Sequence, residues 1–375
     1  MIGVPSLSKP LTVIFAGGGS GGHISPGLAI AERLGEIAPR ITPLFVCSTR
    51  MIDATMLGDA GAEYVPVPAT PPSVRPAAAL RFFINFRRSK RMIQRLIRER
   101  NVIRVVTLGG FVAAPAVSAA NSLGVAVMLV NLDAPPGKAN RWMARRSDAV
   151  ISAIEVPTMP GFASKVVGMP IRRRAVAQHD QRTCRARLGL DADAPTLLVT
   201  GASQGATSVN AFLAALAATH PEMFRGWQVY HLAGHGADEP LRKAYAAAGM
   251  NAKVEPFLNE MGLAWGAADL AISRAGANSV AEAAANSVPT LFLPYPYHKD
   301  MHQKHNAQPL VDLGGAVMAI DMIDAPENVR TISPLLRELM MDAGRRSSMR
   351  DKLKANPLPD AAAMIAKLLV SDGGE

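Results

Sequence analysis

Short runs of apolar residues recur along the chain, and helical patterns separate them. Leu11 to Ala16 is the first run, and a glycine-rich turn and an apolar periodicity typical of a helix follow it. Strands apolar on both faces that alternate with helices are typical of parallel sheets covered by helices. The pattern therefore predicts an α/β protein with doubly wound parallel sheets. Further strands are expected at 43–47, 64–67, 102–108, 125–130, 149–153, 196–200, 228–233, 253–255, 270–273, 290–293 and 316–320.

A connector rich in proline and arginine interrupts this series near residue 170. It has the sequence GMPIRRRAVA, from Gly168 to Ala177, and a second strand and helix series begins at Thr196. At 375 residues the chain is too long for one ordinary core. We predict an N-terminal domain over residues 1–170, a C-terminal domain over 171–345 and a helical tail over 346–375.

Two glycine-rich turns each follow the first strand of a half. The first is GGGSGGH, from Gly17 to His23, and the second is GASQGATSVN, which follows Thr200. Glycine permits positive φ and lets backbone N–H groups approach an anion, and a helix N-terminus favours negative charge. Ser25 and Pro26 are expected to start the helix after the first turn. Both turns are candidate phosphate sites.

The first turn also fits the fingerprint GxGxxG of dinucleotide-binding proteins, through Gly17, Gly19 and Gly22. That interpretation needs an acidic residue at the end of the second strand to hold a ribose. Residues 48–50 are Ser-Thr-Arg instead. An NAD(P)-dependent oxidoreductase could use this turn with Arg50, but it would leave the second glycine turn unexplained.

Residues 80–104 concentrate the positive charge of a chain whose net charge is +10. Nine arginines or lysines stand there against one acid, Glu99, and apolar residues are interleaved. An interfacial helix on anionic lipid needs this combination, whereas no nucleic-acid recognition module accompanies the charge. An ordinary surface helix is the alternative. We predict membrane contact through Phe82, Phe83, Phe86, Arg87 and Arg88, and core packing for Ile93, Leu96 and Ile97.

From Val105 to Leu132 the chain has no charged residue, which raises a membrane-spanning helix. Glycine and proline break this stretch, however, into a strand, a turn, a short helix and a second strand. No secretory signal pattern opens the sequence. The two cysteines, Cys47 and Cys184, make no metal or redox spacing, so we expect buried thiols in a reducing cytoplasm.

Several motifs, in their order and spacing, resemble the MurG family, the N-acetylglucosaminyltransferases that convert lipid I to lipid II in peptidoglycan synthesis. The resemblance covers most of the chain and implies a GT-B architecture of two Rossmann-like domains facing a cleft. The acceptor would bind on the N-terminal, membrane-associated side and UDP-GlcNAc on the C-terminal side. The motifs are GGGSGGHISPGLAIA near the start, LGGFVAAP at Leu108, VVGMPIR at Val166, GASQGA at Gly201, and SRAGANSVAEAAA with HKDMHQKHNA between Ser273 and Ala307.

On this resemblance Glu282 would hold the ribose hydroxyls of UDP, and Gln303 the hydroxyls of GlcNAc. Arg172 and the amides of Gly205 and Ala206 would meet the diphosphate. Glu282 also has a local interpretation, because with Ser279 it fits an S-x-x-E capping box. The implied donor contacts are Arg172, Ser203, Gln204, Gly205, Phe257, Leu258, Asn278, Ser279, Glu282 and Gln303.

The implied chemistry is inverting transfer, in which a base takes the proton of the attacking hydroxyl. His23 is the first candidate base, because a histidine titrates near neutral pH, and Asp133 is the second. A purely structural histidine is the alternative. Helix N-termini and Arg172 would stabilise the leaving diphosphate, so we predict that no metal or other cofactor is required. The acceptor and phosphate loops are expected at Ser20, Gly21, Gly22, Gly109, Gly110 and Phe111.

Two patterns could suggest a metal. His298, His302 and His305 have the spacing of one helix face, but the acid of an HExxH motif is missing. Asp191 and Asp193 form a D-x-D string in a loop before a strand, where a solvated turn is the simpler interpretation. We therefore predict no metal site.

The largest departure from the family pattern lies between Val130 and Asp133, where Val-Asn-Leu-Asp replaces His-Glu-Gln-Asn. Asn140 and Trp142 still match. Asp133 could replace an amide contact, serve as a base or mark a different acceptor. Two alternatives therefore stay open: a related GT-B enzyme with another lipid or polysaccharide acceptor, and a non-catalytic paralogue that binds sugar nucleotides.

The expected partners are UDP-GlcNAc, a lipid-linked acceptor and an anionic membrane surface, without nucleic acid. The expected location is peripheral, on the cytoplasmic face of the cell membrane.

Overall fold

The computed structural model describes residues 10–19, 21–133, 135–201, 205–297 and 301–371. The chain divides into two compact units, Met1–Arg172 with Pro359–Glu375, and Arg173–Leu358. The first unit thus ends two residues after the boundary expected from the sequence. The tail expected at 346–375 does not form a part of its own, because the chain returns to the first unit at Pro359.

The first unit contains a parallel sheet of seven strands in the order β3-β2-β1-β4-β5-β6-β7. The strands are β1 (Leu11–Ala16), β2 (Ile41–Ser48), β3 (Tyr64–Val67), β4 (Asn101–Thr107), β5 (Ala126–Asn131), β6 (Ala149–Ser152) and β7 (Lys165–Val166). The helices between them are α1 (Gly21–Ile37), α2 (Met51–Gly58), α3 (Pro76–Glu99), α4 (Ala113–Asn121) and α5 (Lys138–Ala144).

The centre of this sheet is apolar on both faces. Every residue of β1 after Thr12 is fully buried, and Phe15 stacks on Phe45 of β2 with ring centroids 5.2 Å apart. The strand order reverses between β1 and β4, and in doubly wound sheets ligands bind at the carboxyl ends of the strands beside such a reversal. The glycine turns after β1 and β4 lie at that edge.

Helix α1 begins at Gly21, so the helix start predicted at Ser25 and Pro26 is wrong. Pro26 lies inside the helix instead. Its missing N–H would have bonded to the carbonyl of Gly22 in the first turn, so the helix loses one hydrogen bond near its end. The glycine turn is therefore shorter than expected, and His23 belongs to the helix.

The second unit repeats this plan with six parallel strands in the order β10-β9-β8-β11-β12-β13. The strands are β8 (Thr196–Thr200), β9 (Gln228–Leu232), β10 (Ala252–Glu255), β11 (Leu270–Ser273), β12 (Thr290–Phe292) and β13 (Ala316–Met318). The helices are α6 (Gln181–Arg187), α7 (Thr207–Thr219), α8 (Asp238–Ala247), α9 (Met261–Ala267), α10 (Ala277–Ala285), α11 (His302–Asp312), α12 (Ala325–Met341) and α13 (Ala343–Ala355).

The last helix, α14 (Ala361–Ser371), packs against α1 in the first unit. Its buried face includes Ile365 and Leu369, both fully buried. Burial of such a side chain contributes roughly 1.5–3 kcal/mol, so this face fixes the returning chain. An ion pair of 2.8 Å between Asp360 Oδ2 and Arg33 Nε of α1 adds a polar contact at the same place.

The uncharged stretch between Val105 and Leu132 folds as β4, α4 and β5, as its breaks predicted. Among the described residues, no helix has both the length and the apolar character needed to cross a bilayer. Cys47 and Cys184 are both buried and free. The predicted doubly wound α/β fold is confirmed in both units.

Candidate functional site

In the first unit, His23 lies against the glycine turn that follows β4. A Cβ built on Gly109 would be 3.2 Å from His23 Nε2, and one built on Gly110 would be 2.7 Å from the carbonyl oxygen of Gly18. Both glycines have positive φ, at 96° and 78°. Because any side chain there would be strained or crowded, the turn must be glycine for the imidazole to sit at the carboxyl edge of the sheet.

Burial lowers the pKa of His23, although the charges of Asp133 and Asp53 partly oppose the shift. A lowered pKa leaves the imidazole neutral at neutral pH, and only the neutral form can accept a proton. His23 therefore has the protonation state that a general base requires. Asp133, the second predicted base, has an exposed side chain.

The side chain of Asp53, on α2, binds the backbone of the first glycine turn. Gly19 N donates to its two carboxylate oxygens at 2.8 and 3.0 Å, and Ser48 donates to Oδ2 from its backbone N at 2.9 Å and its Oγ at 2.6 Å. The Gly19 amide thus binds a carboxylate of the protein itself. Asp53 could not be predicted from the sequence, because no motif links it to a glycine that lies 34 residues earlier.

The other residues predicted for the acceptor loops differ in position. Gly21 is buried at the start of α1, Gly22 is exposed, and Ser20 lies outside the described residues. Phe111 packs partly against the core, with the Arg50 guanidinium 5.4 Å from its ring centroid. Arg50 also donates from Nη1 to the carbonyl of Gly19 at 2.6 Å, so it stabilises the turn.

The departing segment 130–133 is mostly interior. Val130 and Leu132 are buried in the core. Asn131 is buried as well, and its amide donates to the carbonyl of Asp133 at 2.8 Å and accepts from Asn140 Nδ2 at 2.9 Å. The buried amides fix the loop, and Asp133 is the one residue of the four with an exposed side chain.

In the second unit the glycine turn after β8 is held against β9. Gly205 has a φ of 71°, and a Cβ there would collide with the carbonyl oxygen of Ala233. Asn210 of α7 donates to the same carbonyl at 2.8 Å and contacts His231 Nε2 at 3.0 Å. Burial lowers the pKa of His231 to about 3, so this histidine is neutral and structural. Ser203 and Gln204 lie outside the described residues.

Arg274, at the end of β11, joins several loops of this unit. Its Nη2 donates to Ser208 Oγ at 2.6 Å and pairs with Asp321 Oδ2 at 2.7 Å, while its Nη1 donates to the carbonyl of Leu293 at 2.7 Å. Arg274 and Asp321 are both buried. The pair fixes the start of α7 relative to the start of α10. The SRAG motif contained Arg274, but its role came only from the structure.

Glu282 lies on α10 and does not cap it. The residue before the helix is Gly276, without a side-chain cap, and Ser279 is buried in the third position, so the capping-box interpretation is wrong. Glu282 Oε2 instead accepts a hydrogen bond from Trp265 Nε1 at 3.0 Å. Burial raises the pKa of Glu282 to about 7, and the indole bond partly opposes that shift.

The remaining predicted donor contacts fall into three groups. Asn278, half-buried, lies near the start of α10. Phe257 is 42% exposed with its ring centroid 6.5 Å from that of His235, whereas Leu258 packs against the core. Gln303 Oε1 accepts from the backbone N of Tyr295 at 2.9 Å.

Arg172 belongs to the first unit and is buried there. Its Nε donates to Glu32 Oε1 at 2.8 Å, and among the described residues its Nη1 finds no hydrogen-bond partner. A role at a diphosphate stays a prediction for this residue.

The two metal-like patterns do not assemble a site in the described part of the chain. His302 and His305 lie on α11, and His298 is outside the described residues. Asp193 pairs with Arg182, and its backbone N donates to Asp191 Oδ1 at 2.9 Å, which makes a local turn. No three His, Cys, Asp or Glu side chains among the described residues are grouped to hold a metal.

Helix α3 has two different halves. Ile93 and Ile97 in its second half are buried, and Leu96 is partly buried against the same core. In its first half Phe83 is 62% exposed, while Phe82 and Phe86 are half-buried beside it. The ring centroid of Phe82 lies 5.5 Å from that of Phe83 and 6.0 Å from that of Phe86. Arg87 and Arg88, which follow, are exposed.

Both units match known protein families. Residues 13–152 match the N-terminal domain of glycosyltransferase family 28, and residues 196–365 match its C-terminal domain. A Leifsonia xyli subsp. xyli protein named UDP-N-acetylglucosamine--N-acetylmuramyl-(pentapeptide) pyrophosphoryl-undecaprenol N-acetylglucosamine transferase is 35% identical over 95% of this chain and 97% of its own length. A protein of the same name from Clavibacter sepedonicus is 37% identical over 95% of each chain.

Among solved structures, the crystal structure of Acinetobacter baumannii MurG is similar over 97% of this chain and 99% of its own, with a TM-score of 0.71 and 26% identity. The two doubly wound units and these matches define a glycosyltransferase of the GT-B class. The chain belongs to glycosyltransferase family 28 and, within it, to the MurG family of N-acetylglucosaminyltransferases. The predicted family and enzyme class are confirmed, and the oxidoreductase alternative is wrong.

Proposed function

We propose that this chain transfers GlcNAc from UDP-GlcNAc to lipid I, undecaprenyl-diphospho-MurNAc-pentapeptide, and so forms lipid II with inversion at the anomeric carbon. The names of the near-full-length relatives support this substrate pair. The structural observation that carries the donor assignment is the carboxylate of Glu282, which does not cap α10 and which, among the described side chains, accepts a hydrogen bond from Trp265 alone.

In the transfer, His23 takes the proton of the attacking acceptor hydroxyl as its oxygen bonds to the anomeric carbon. The bond from that carbon to the β-phosphate oxygen breaks, and UDP leaves with the electron pair. Such proton removal typically contributes about 10² to 10⁴ in rate. The lowered pKa of His23 supports its role, since the neutral imidazole is present before the reaction.

On the donor side, Glu282 accepts hydrogen bonds from the ribose hydroxyls, and Gln303 contacts the hydroxyls of GlcNAc. The amides of Gly205 and Ala206 face the diphosphate at the start of α7, where the helix dipole favours negative charge. Asn278 and Ser279, at the start of α10, are further donor contacts in this proposal, and the family resemblance adds Ser203 and Gln204. Arg172 adds positive charge, so no metal or other cofactor is required.

A transfer assay tests the acceptor. Radiolabelled UDP-GlcNAc is incubated with the purified protein and lipid I, and labelled lipid II is expected. UDP-GlcNAc alone measures hydrolysis, and undecaprenyl-diphospho-GlcNAc or a polysaccharide tests a different acceptor. Transfer to one of these in place of lipid I would replace the proposed acceptor. Donor binding without any transfer would favour the non-catalytic alternative.

The first half of α3 would place the enzyme on the inner face of the cell membrane as a peripheral protein. Exposed apolar residues next to arginines insert at a headgroup boundary, while the buried second half holds the helix on the core. Phe83→Ser is expected to lower co-sedimentation with vesicles containing anionic lipid several-fold. Met341→Ser, which changes a residue 79% exposed in the other unit, is the matched control. Equal binding by both variants would remove α3 from this role.

A further inference from the structure

Trp265 is buried beneath the donor side of the second unit, with 1% of its surface exposed. It lies on α9 among the core residues that pack under α10. A buried indole needs a partner for its single N–H group. Trp265 donates that hydrogen to Glu282 Oε2 at 3.0 Å.

This bond restricts the carboxylate of Glu282. A glutamate side chain has several rotatable bonds, and the last of them turns the carboxylate plane freely. With Oε2 held by a rigid indole, the plane is set and Oε1 remains for a ligand. No other side-chain hydrogen bond to this carboxylate occurs among the described residues. Two neighbouring hydroxyls of a ligand can then bind to a carboxylate that is already oriented.

We propose that Trp265 is a positioning residue for donor binding, which orients the Glu282 carboxylate toward the vicinal hydroxyls of the ribose of a uridine diphosphate sugar. The inference rests on the proposed function, in which Glu282 contacts that ribose. Trp265 acts through Glu282 and contacts no reacting atom.

The physical cost of losing the indole donor supports this role. Burial already raises the pKa of Glu282, and the indole bond is the one contact that opposes the rise. A hydrogen bond to a charged group contributes more free energy than a hydrogen bond between two neutral groups. Without the indole bond the buried carboxylate would be less favourable in its charged form and would have to be oriented at the moment the donor binds.

The test compares UDP with 2′-deoxy-UDP, which lacks one ribose hydroxyl, by calorimetry on the full chain. Wild type is expected to bind UDP at least tenfold more tightly. Trp265→Phe keeps an aromatic side chain but removes the indole N–H, so the preference should fall to about twofold or less. Trp227→Phe, at a buried tryptophan of another core cluster in the same unit, should keep the preference.

The outcomes separate the inference from the proposed function. If wild type binds both nucleotides equally, Glu282 does not read the ribose and the proposed donor contact fails. If wild type discriminates and Trp265→Phe discriminates as well, only the positioning role fails. Equal weakening of both nucleotides by Trp265→Phe would also overturn it, as a general packing effect.

A measurement on wild type guards against a Trp265→Phe variant that does not fold. The chain has three tryptophans, so ¹⁵N-tryptophan labelling gives three indole resonances. Trp142→Phe and Trp227→Phe identify the third as Trp265. UDP is expected to shift that resonance, and 2′-deoxy-UDP to shift it less. Identical shifts with both nucleotides would overturn the positioning role.

Discussion

Each unit holds a carboxylate near the carboxyl edge of its sheet, and the two are treated very differently. Asp53 in the first unit is fully buried and accepts from Gly19 N, Ser48 N and Ser48 Oγ. Glu282 in the second unit is half-buried and accepts one hydrogen bond, from Trp265. Both carboxylate oxygens of Asp53 accept hydrogen bonds from the protein, whereas Glu282 can still accept hydrogen bonds from a ligand.

The two carboxylates therefore have different roles. A satisfied carboxylate stabilises the turn around it, so the first turn is a rigid mount for His23. A partly buried carboxylate with a single hydrogen bond costs stability, and binding sites commonly carry such a cost. We therefore expect changes in the first turn to act on kcat and folding, and changes at Glu282 to act on donor affinity.

The largest expected effect comes from His23. His23→Ala should lower kcat by about 10² to 10⁴ with the KM for UDP-GlcNAc nearly unchanged. Because the pKa of His23 is lowered, wild-type kcat should stay on its plateau down to pH values below the ordinary histidine pKa of about 6.5. It should then fall with further acidification.

Asp133→Ala is the companion variant, since it removes the second candidate base. A loss of kcat confined to Asp133→Ala would move the base to Asp133. If neither variant changed turnover, the base assignment in the first unit would be wrong.

The next effect is on stability in the first turn. Asp53→Asn removes the negative charge and replaces one of the two acceptor oxygens by an NH2 group, which would face a backbone donor such as Gly19 N. Buried donors left unsatisfied cost about 1–3 kcal/mol each, and we expect roughly 3 kcal/mol of lost unfolding free energy together with a fall in kcat. Urea unfolding and turnover measure both. Asp59→Asn, at the end of the same helix α2, is the control.

These two sites also show how far sequence could reach. The strands and the doubly wound order follow from apolar runs and glycine turns, which are local signals. His23, Gly109 and Glu282 were predicted from motifs, and their environments were not. Asp53, Trp265 and Asp321 act through contacts with residues 34, 17 and 47 positions away, and no periodicity marks such pairs. The start of α1 was missed because local cap signals at Ser25 competed with the glycines before them.

A substitution at Glu282 is expected to change the free energy of unfolding in the opposite direction to Asp53→Asn. Its pKa is raised from 4.5 to about 7 in the folded protein, so the folded state binds the proton more tightly than the unfolded state. The stabilising contribution of the protonated form is fully present below about pH 4.5 and is lost as the pH rises through 7. Glu282→Gln should therefore raise the unfolding free energy by about 1–3 kcal/mol at pH 8 and leave it nearly unchanged at pH 4.

The same variant should raise the KM for UDP-GlcNAc by tenfold or more, because the single, uncharged oxygen of the amide would have to serve both the indole N–H of Trp265 and the ribose hydroxyls. Thermal unfolding at the two pH values and donor titration check both halves. A Glu282→Gln variant less stable than wild type at pH 8 would mean that the carboxylate supports the fold as Asp53 does.

The smallest expected effect is that of a chelator. The Asp53 oxygens already accept N–H and O–H donors, and Glu282 takes an indole N–H, so neither carboxylate is arranged as a cation ligand among the described residues. Turnover in EDTA should therefore stay within about twofold of turnover in Mg²⁺, because in the proposed function helix N-termini and Arg172 stabilise the diphosphate charge. Inactivation by EDTA that Mg²⁺ reverses would instead mean that a cation shares the diphosphate. Glu282→Gln would then test whether Glu282 binds that cation. If the carboxylate bridges the cation and the donor, the variant should lose both its Mg²⁺ dependence and its donor affinity.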